Sequence, residues 1–159
     1  MNKKLANGLI LMGFILFVLL IGFLSSLFSG VGVKDFYFSL NKPAFSPPAW
    51  VFGPAWTILY ILIGISAYLI WQKKEEKNIN FGVAIFFIQL FLNYLWSIIF
   101  FGKGNIEWAF YDIVALWIAI VIMISVFYKI SKPAAWLLIP YLLWVSFASI
   151  LNYNVWILN

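Results

Sequence analysis

Five apolar stretches without a single basic residue constrain this chain more than any other feature. They run from Leu5 to Phe28, Trp50 to Trp71, Phe81 to Phe101, Trp108 to Tyr128 and Ala135 to Trp156, and Asp112 is the one charged residue inside them. About 20 apolar residues suffice to carry a helix across a hydrocarbon core of about 30 Å. Lipid offers no hydrogen-bond partners to the backbone, so each stretch must satisfy its own amides, and each is about twice the length of a barrel strand. The pattern predicts an all-α integral membrane protein, a five-transmembrane-helix bundle forming one domain over residues 1–159. Composition agrees: 65% of residues are hydrophobic and 9% charged, against about 45–50% and about 25% in soluble domains.

The first stretch follows Lys3 and Lys4 and ends in small residues near Ser29 and Gly30, as a secretory signal would. Its apolar run exceeds the 7–15 residues or so of a signal core, so it reads as a span.

All ten basic residues are lysines, and the formal net charge is +5. With five spans, Lys3, Lys4, Lys73, Lys74, Lys77, Lys129 and Lys132 fall on one side, and Lys34, Lys42 and Lys103 on the other. That asymmetry predicts a cytoplasmic N-terminus, an external C-terminus and residence in a bacterial cytoplasmic membrane. No basic cluster is interleaved with aromatics on a soluble face, so nucleic acid is not an expected partner. Cysteine and histidine are absent, which removes disulfides, thiol nucleophiles, imidazole bases and the usual metal and haem ligands. No metal site and no resident cofactor are expected. Acid/base chemistry is poorly supplied, since Asp112 stands alone and Glu75, Glu76 and Glu107 belong to links or span edges, which argues against a hydrolase.

The links Gln72 to Asn80, Gly102 to Glu107 and Lys129 to Ala134 are short, so successive helices should lie antiparallel and adjacent. The first link, residues 29–49, is far longer than joining neighbours requires. Phe36, Tyr37 and Leu40 give it the apolar face of a short helical turn, and Pro43, Pro47 and Pro48 stiffen its return. It reads as a lid over one mouth of the bundle. Ser46 before Pro47 has the form of a helix start, with a capping hydroxyl and a proline at the first position. Pro54 and Pro140 should kink the second and fifth spans or mark their first turns.

Aromatic residues make up 21% of the chain, with nine tryptophans. Trp71, Trp108 and Trp156 stand at span ends, where an interfacial belt places them. Trp56, Trp96, Trp117 and Trp144 lie within spans, and a buried indole N–H needs an acceptor inside the bundle. Gln89, Asn93, Trp96, Ser97 and Phe100 recur at spacings of three and four and share one face of the third span. Trp144, Ala148, Leu151 and Asn152 do the same in the fifth, with Tyr141 at the edge. Amides and small residues at such spacings serve equally as interhelical glue or as the wall of a partly polar pocket, and periodicity leaves both open. Asp112, one turn in from Trp108, has no basic partner within any span, which favours a structural or pocket-lining role over proton coupling. The small-residue pair Ala115 and Ala119 offers a close-packing surface on the fourth span, whereas Gly82 and Ala84 in the third lack that spacing.

The segment Lys42-Pro-Ala-Phe-Ser-Pro-Pro-Ala-Trp-Val-Phe-Gly-Pro-Ala-Trp56, followed by Leu59 and Tyr60, resembles the first loop and second helix of the tryptophan-rich sensory protein/translocator protein family. Gln89 through Ser97, with Phe100, Phe101 and Gly102, resembles its third helix. Trp108, Ala109 and Asp112 resemble the start of its fourth, and Leu138 through Trp144, with Phe147, Ala148, Leu151, Asn152 and Tyr153, its fifth. The likeness covers about Asp35 to the C-terminus. It implies a five-helix bundle, usually a homodimer, that acts as a membrane receptor or sensor for tetrapyrroles such as protoporphyrin IX. Animal members also bind cholesterol and benzodiazepine-type ligands. Carried onto this chain, the ligand site would include Tyr37 in the lid, Trp56 in the second helix, and Asn93, Trp96, Ser97 and Phe100 in the third. Asp112 would join from the fourth, and Trp144, Phe147 and Ala148 from the fifth. Bacterial members are linked to light-dependent porphyrin breakdown, for which Trp56 and Trp144 would be the catalytic positions; transport of porphyrins or other amphiphiles is a further alternative. The sterol-recognition pattern needs a basic residue soon after Tyr153, where this chain has Asn154, Val155, Trp156 and Ile157, so specific sterol binding is not expected.

Overall fold

A computed structural model of the chain describes residues 2–29 and 33–159, the side chains of Lys3, Val33 and Lys34 excepted. Residues 30–32 of the lid segment, and the side chains of Lys3 and Lys34 used in the charge count, therefore lie outside the described residues. The described chain is all helical: α1 (Lys3–Phe28), α2 (Val33–Ser39), a 3-10 turn (Ala49–Val51) leading into α3 (Phe52–Trp71), α4 (Asn80–Ser97) widening into a π turn (Ile98–Gly102), α5 (Ile106–Ile130), α6 (Lys132–Trp136) and α7 (Ile139–Leu158). Among the described residues, five helical segments, the shortest of 23 residues, are apolar and long enough to cross a membrane. At about 1.5 Å per residue that shortest one spans about 34 Å. The protein is an integral, multi-pass membrane protein.

The second and fifth spans begin as their prolines require. Pro54 lies in the first turn of α3 and Pro140 in that of α7. Proline lacks an N–H and its ring clashes with the carbonyl four residues back, here Trp136, so the fifth span breaks at Leu137–Leu138 into α6 and α7. The expected cap at Ser46 is not formed. Ordered helix begins only after Pro48, which is extended at φ −56°, ψ 142° and gives no side-chain cap. A residue preceding proline is driven out of the helical region, and both Ser46 and Pro47 precede one. The freed Ser46 hydroxyl instead meets the Tyr37 hydroxyl at 3.3 Å.

Helices in lipid gain little from hydrophobicity against each other, so shape and polar contacts decide their packing. α1 packs on α3 and α4, α4 on α5, and α5 on α6 and α7. A Cβ on Gly64 of α3 would stand 2.7 Å from the Ile15 Cα of α1, so glycine there sets how closely these two helices approach. Ile63, Leu116, Ile120, Met123, Phe127, Leu138, Tyr141 and Val145 fill the centre, while Leu9, Phe23, Phe91, Leu143 and Ile157 face outward. Inside, the Ser66 hydroxyl donates to the Ala134 carbonyl at 2.8 Å. Gly82 is enclosed by Phe127 and Ile130 of the same chain. Ala119 is buried whereas Ala115 is exposed, so the two do not form one open small-residue surface.

Two contacts fix the ends of the bundle. On one, the Lys77 ammonium donates to the carbonyls of Lys129 and Ile130, both at 2.9 Å, so two links share that end. On the other, Asn41 of the lid and Asn159 exchange hydrogen bonds: the Asn41 amide donates to Asn159 Oδ1 and Asn159 Nδ2 to the Asn41 carbonyl, each at 3.0 Å.

Candidate functional site

Beneath α2 and its proline-rich return the bundle encloses a cavity of about 780 Å³. Tyr37 and Phe38 of α2, with Lys42 and Ser46 of the return, form its roof; Phe52, Trp56 and Tyr60 of α3 form one wall. Asn93, Trp96, Ser97, Phe100 and Phe101 come from α4 and the π turn, and Trp144, Ala148, Leu151 and Asn152 from α7. Of the residues expected from the sequence, Tyr37, Trp56, Asn93, Trp96, Ser97, Phe100, Trp144 and Ala148 thus line one chamber.

Asp112 and Phe147 stand outside that lining. α5 packs behind α4 and α7 and contributes no residue to the chamber, so Asp112 is buried on the far side of the wall, and its Oδ2 has no hydrogen-bond partner among the described residues. Phe147 backs the wall, its ring 5.8 Å from that of Trp144 and 6.3 Å from Phe45 of the lid return.

Aromatic pairs make the walls stiff. Trp56 stacks on Tyr60 at 5.4 Å and meets Tyr141 edge-on at 6.2 Å. Trp96 stacks on Phe100 at 5.1 Å, and Phe52 meets Trp144 edge-on at 5.9 Å. Each such pair adds about 0.5–1.5 kcal/mol beyond burial. Trp96 and Phe100, four residues apart, meet by ordinary helical spacing; just beyond, the Lys103 amide reaches back five residues to the Ile98 carbonyl at 2.9 Å and widens the helix into a π turn. Phe100 is buried, with Phe36 of the lid 6.0 Å away.

Glue and pocket share the amide-bearing face. At its deep end the Tyr60 hydroxyl donates to Asn93 Oδ1 at 2.8 Å, Asn93 Nδ2 donates to the Tyr141 hydroxyl at 3.2 Å, and Tyr141 donates to Gln89 Oε1 at 3.0 Å. Gln89 and Tyr141 are fully buried and hold α4 to α7. Nearer the lid the Trp96 indole donates to Asn152 Oδ1 at 3.0 Å, and Asn152 donates on to the Ile106 carbonyl. Trp117 finds Ser146 at 2.8 Å on the outer surface. Trp144 differs: its indole N–H is buried with no acceptor among the described residues. An unmet donor of this kind costs about 1–3 kcal/mol, and Trp144 lines the chamber.

The roof carries an ammonium. Lys42 Nζ donates to the Tyr37 and Leu40 carbonyls at 2.7 and 3.1 Å, closing the C-terminal end of α2, and lies 4.7 Å from the Tyr37 ring. A lysine has three donors and two are engaged. Among the described residues no carboxylate lies within ion-pair distance of it.

The α1 wall lies outside the site residues expected from the sequence. Gly22, Ser25, Ser26 and Ser29 all line the chamber. Ser29 meets the Ser97 hydroxyl at 2.9 Å, Ser25 donates to the Tyr94 carbonyl at 3.2 Å, and a Cβ on Gly22 would run into the Tyr60 ring. The available signal was the cluster of small polar residues at the lid end of an otherwise aliphatic span.

The fold and chamber define a polytopic membrane protein with a lidded, aromatic cavity. The TspO/MBR family model matches residues 14–157, and the chain belongs to that family. It is 48% identical to the tryptophan-rich protein TspO of Archaeoglobus fulgidus, over 96% of this chain and 99% of that one. It is 43% identical to the tryptophan-rich protein TspO of Chlorobaculum tepidum, over 100% and 99% respectively, and 39% identical to the translocator protein of Homo sapiens, over 91% and 87%. These likenesses support a receptor role in the membrane.

Proposed function

We propose that the chamber binds a tetrapyrrole of the protoporphyrin IX type and that the protein acts as its membrane receptor. One observation carries this reading: a cavity of about 780 Å³ walled by Trp56, Trp96 and Trp144, with a single lysine ammonium among the described lining residues, at its roof. Small-molecule sites run from about 300 to 1,000 Å³ and are mostly apolar with a few placed polar groups. A flat macrocycle stacks on indoles, its π face can accept an indole N–H, and its propionates suit an ammonium. A metal-free ring needs no axial ligand.

The test is tryptophan-fluorescence quenching by protoporphyrin IX in detergent, in the dark. Saturable quenching that Trp56→Ala and Trp144→Ala each weaken about tenfold is expected, as for buried aromatic anchors. Quenching that never saturates, or that both variants leave intact, would overturn the reading.

Light-dependent porphyrin breakdown is the second reading, favoured by the two oxidisable indoles, Trp56 and Trp144, on opposing helices of the chamber. Illumination of the same complex separates them: a pure receptor bleaches the pigment no faster than an unrelated membrane protein does. The lysine asymmetry supports a cytoplasmic N-terminus, with the lid external. Because the chain has no cysteine, single cysteines placed at Lys42 and Lys74 and labelled from outside intact cells test that orientation directly.

A further inference from the structure

At the end of the bundle away from the lid, α1, α3, α4 and α5 leave a second cavity of about 530 Å³. Ile10, Phe14, Phe17, Trp71, Phe86 and Phe87 are among its walls, and among the described residues no charged or amide side chain lines it. Gly13 lines it too, and a Cβ there would meet nothing within 4 Å. The crevice opens between spans that face lipid, so hydrocarbon is its natural filling.

Charge marks one end. Trp71 lines the crevice, and the Lys74 ammonium lies 4.4 Å from the Trp71 ring. Lys73 is engaged by Glu76 at 2.8 Å and Lys77 by two α5 carbonyls, whereas Lys74 reaches Glu75 only at 3.9 Å, with both side chains exposed. Lys4, Lys129 and Lys132 belong to the same end, so among the described side chains six lysines there face two glutamates.

We propose that this crevice is a site for one acyl chain of an anionic phospholipid, whose phosphate is met by Lys74 at the mouth. The site is separate from the chamber and does not rest on its ligand. A lysine near an anionic lipid surface gives about a five-fold preference.

Native mass spectrometry of the protein, released from micelles holding equal phosphatidylglycerol and phosphatidylcholine, tests it. The expected result is one retained phosphatidylglycerol, about five-fold over phosphatidylcholine. Lys74→Ala and Lys74→Glu should abolish the preference while a lipid is still retained. Gly13→Leu, which fills open space, should cut retention of both lipids while protoporphyrin quenching in the chamber is unchanged. Equal retention of the two lipids by the unaltered protein overturns the proposal, as does undiminished retention in Gly13→Leu. A dimer that Gly13→Leu converts to monomer would also overturn it, by assigning the crevice to a second copy.

Discussion

The Tyr60 hydroxyl donates to the Asn93 side-chain oxygen at 2.8 Å. The same tyrosine ring stacks on Trp56, so a buried polar chain through Asn93, Tyr141 and Gln89 holds one wall of the chamber in place. The bundle is fastened and the site is shaped by a single set of bonds.

Removing the central hydroxyl should therefore show in both stability and binding. Tyr141→Phe leaves Gln89 Oε1 and Asn93 Nδ2 buried without their partner, at a cost of about 1–3 kcal/mol for each unmet group. The melting temperature in detergent should fall, and protoporphyrin quenching should weaken although Tyr141 does not line the chamber. Unchanged values for both would show that the chain of bonds does not position the wall.

Two tryptophans on the same chamber should behave oppositely. Trp96→Phe removes the donor to Asn152 Oδ1 and should destabilise the protein by about 1–2 kcal/mol. Trp144→Phe removes an N–H that has no partner among the described residues, so stability should hold or rise while ligand affinity falls. Equal destabilisation by the two would mean that Trp144 has an acceptor.

At the roof, Lys42→Met should weaken protoporphyrin IX about tenfold, the range of one charge-assisted hydrogen bond. It should leave the dimethyl ester of the same porphyrin almost unaffected. An equal loss for acid and ester would assign Lys42 to closing α2 alone.

In the link after α3, the hydrogen bond and charge of Lys73 hold Glu76 below the ordinary glutamate range. A lowered folded value places this interaction above the ordinary carboxylate pKa and removes it as pH falls through the folded one. The group is fully exposed and screened by salt, so the effect on stability should be small. Carboxyl NMR titration should find Glu76 moved up in Lys73→Ala; no movement would sever the pair.

Hydropathy and length placed the five spans to within a few residues, because water-free crossing leaves the chain little choice. The regular spacing of Asn93, Trp96, Ser97 and Phe100 brought one wall into view. Rotation of each helix about its own axis was not visible in the same way. Asp112 reads as a candidate on chemical grounds, yet α5 turns it behind the wall. Ser29 reads as a span end, yet it and Ser25 turn inward. The break at Leu137–Leu138 and the π turn depend on local backbone hydrogen bonding, for which Pro140 was the one available sign. Ser46 shows a local rule defeated by its neighbours, since two consecutive prolines keep the chain extended past the expected cap.

The reciprocal bonds between Asn41 and Asn159 act as a latch joining the roof to the last turn of α7. Lifting the roof must release that latch, so Asn159→Ala, which removes both of these bonds, should ease opening without altering any residue that lines the chamber. By the same logic, an affinity tag fused there pulls on the roof, and one placed at the opposite end of the chain leaves it undisturbed.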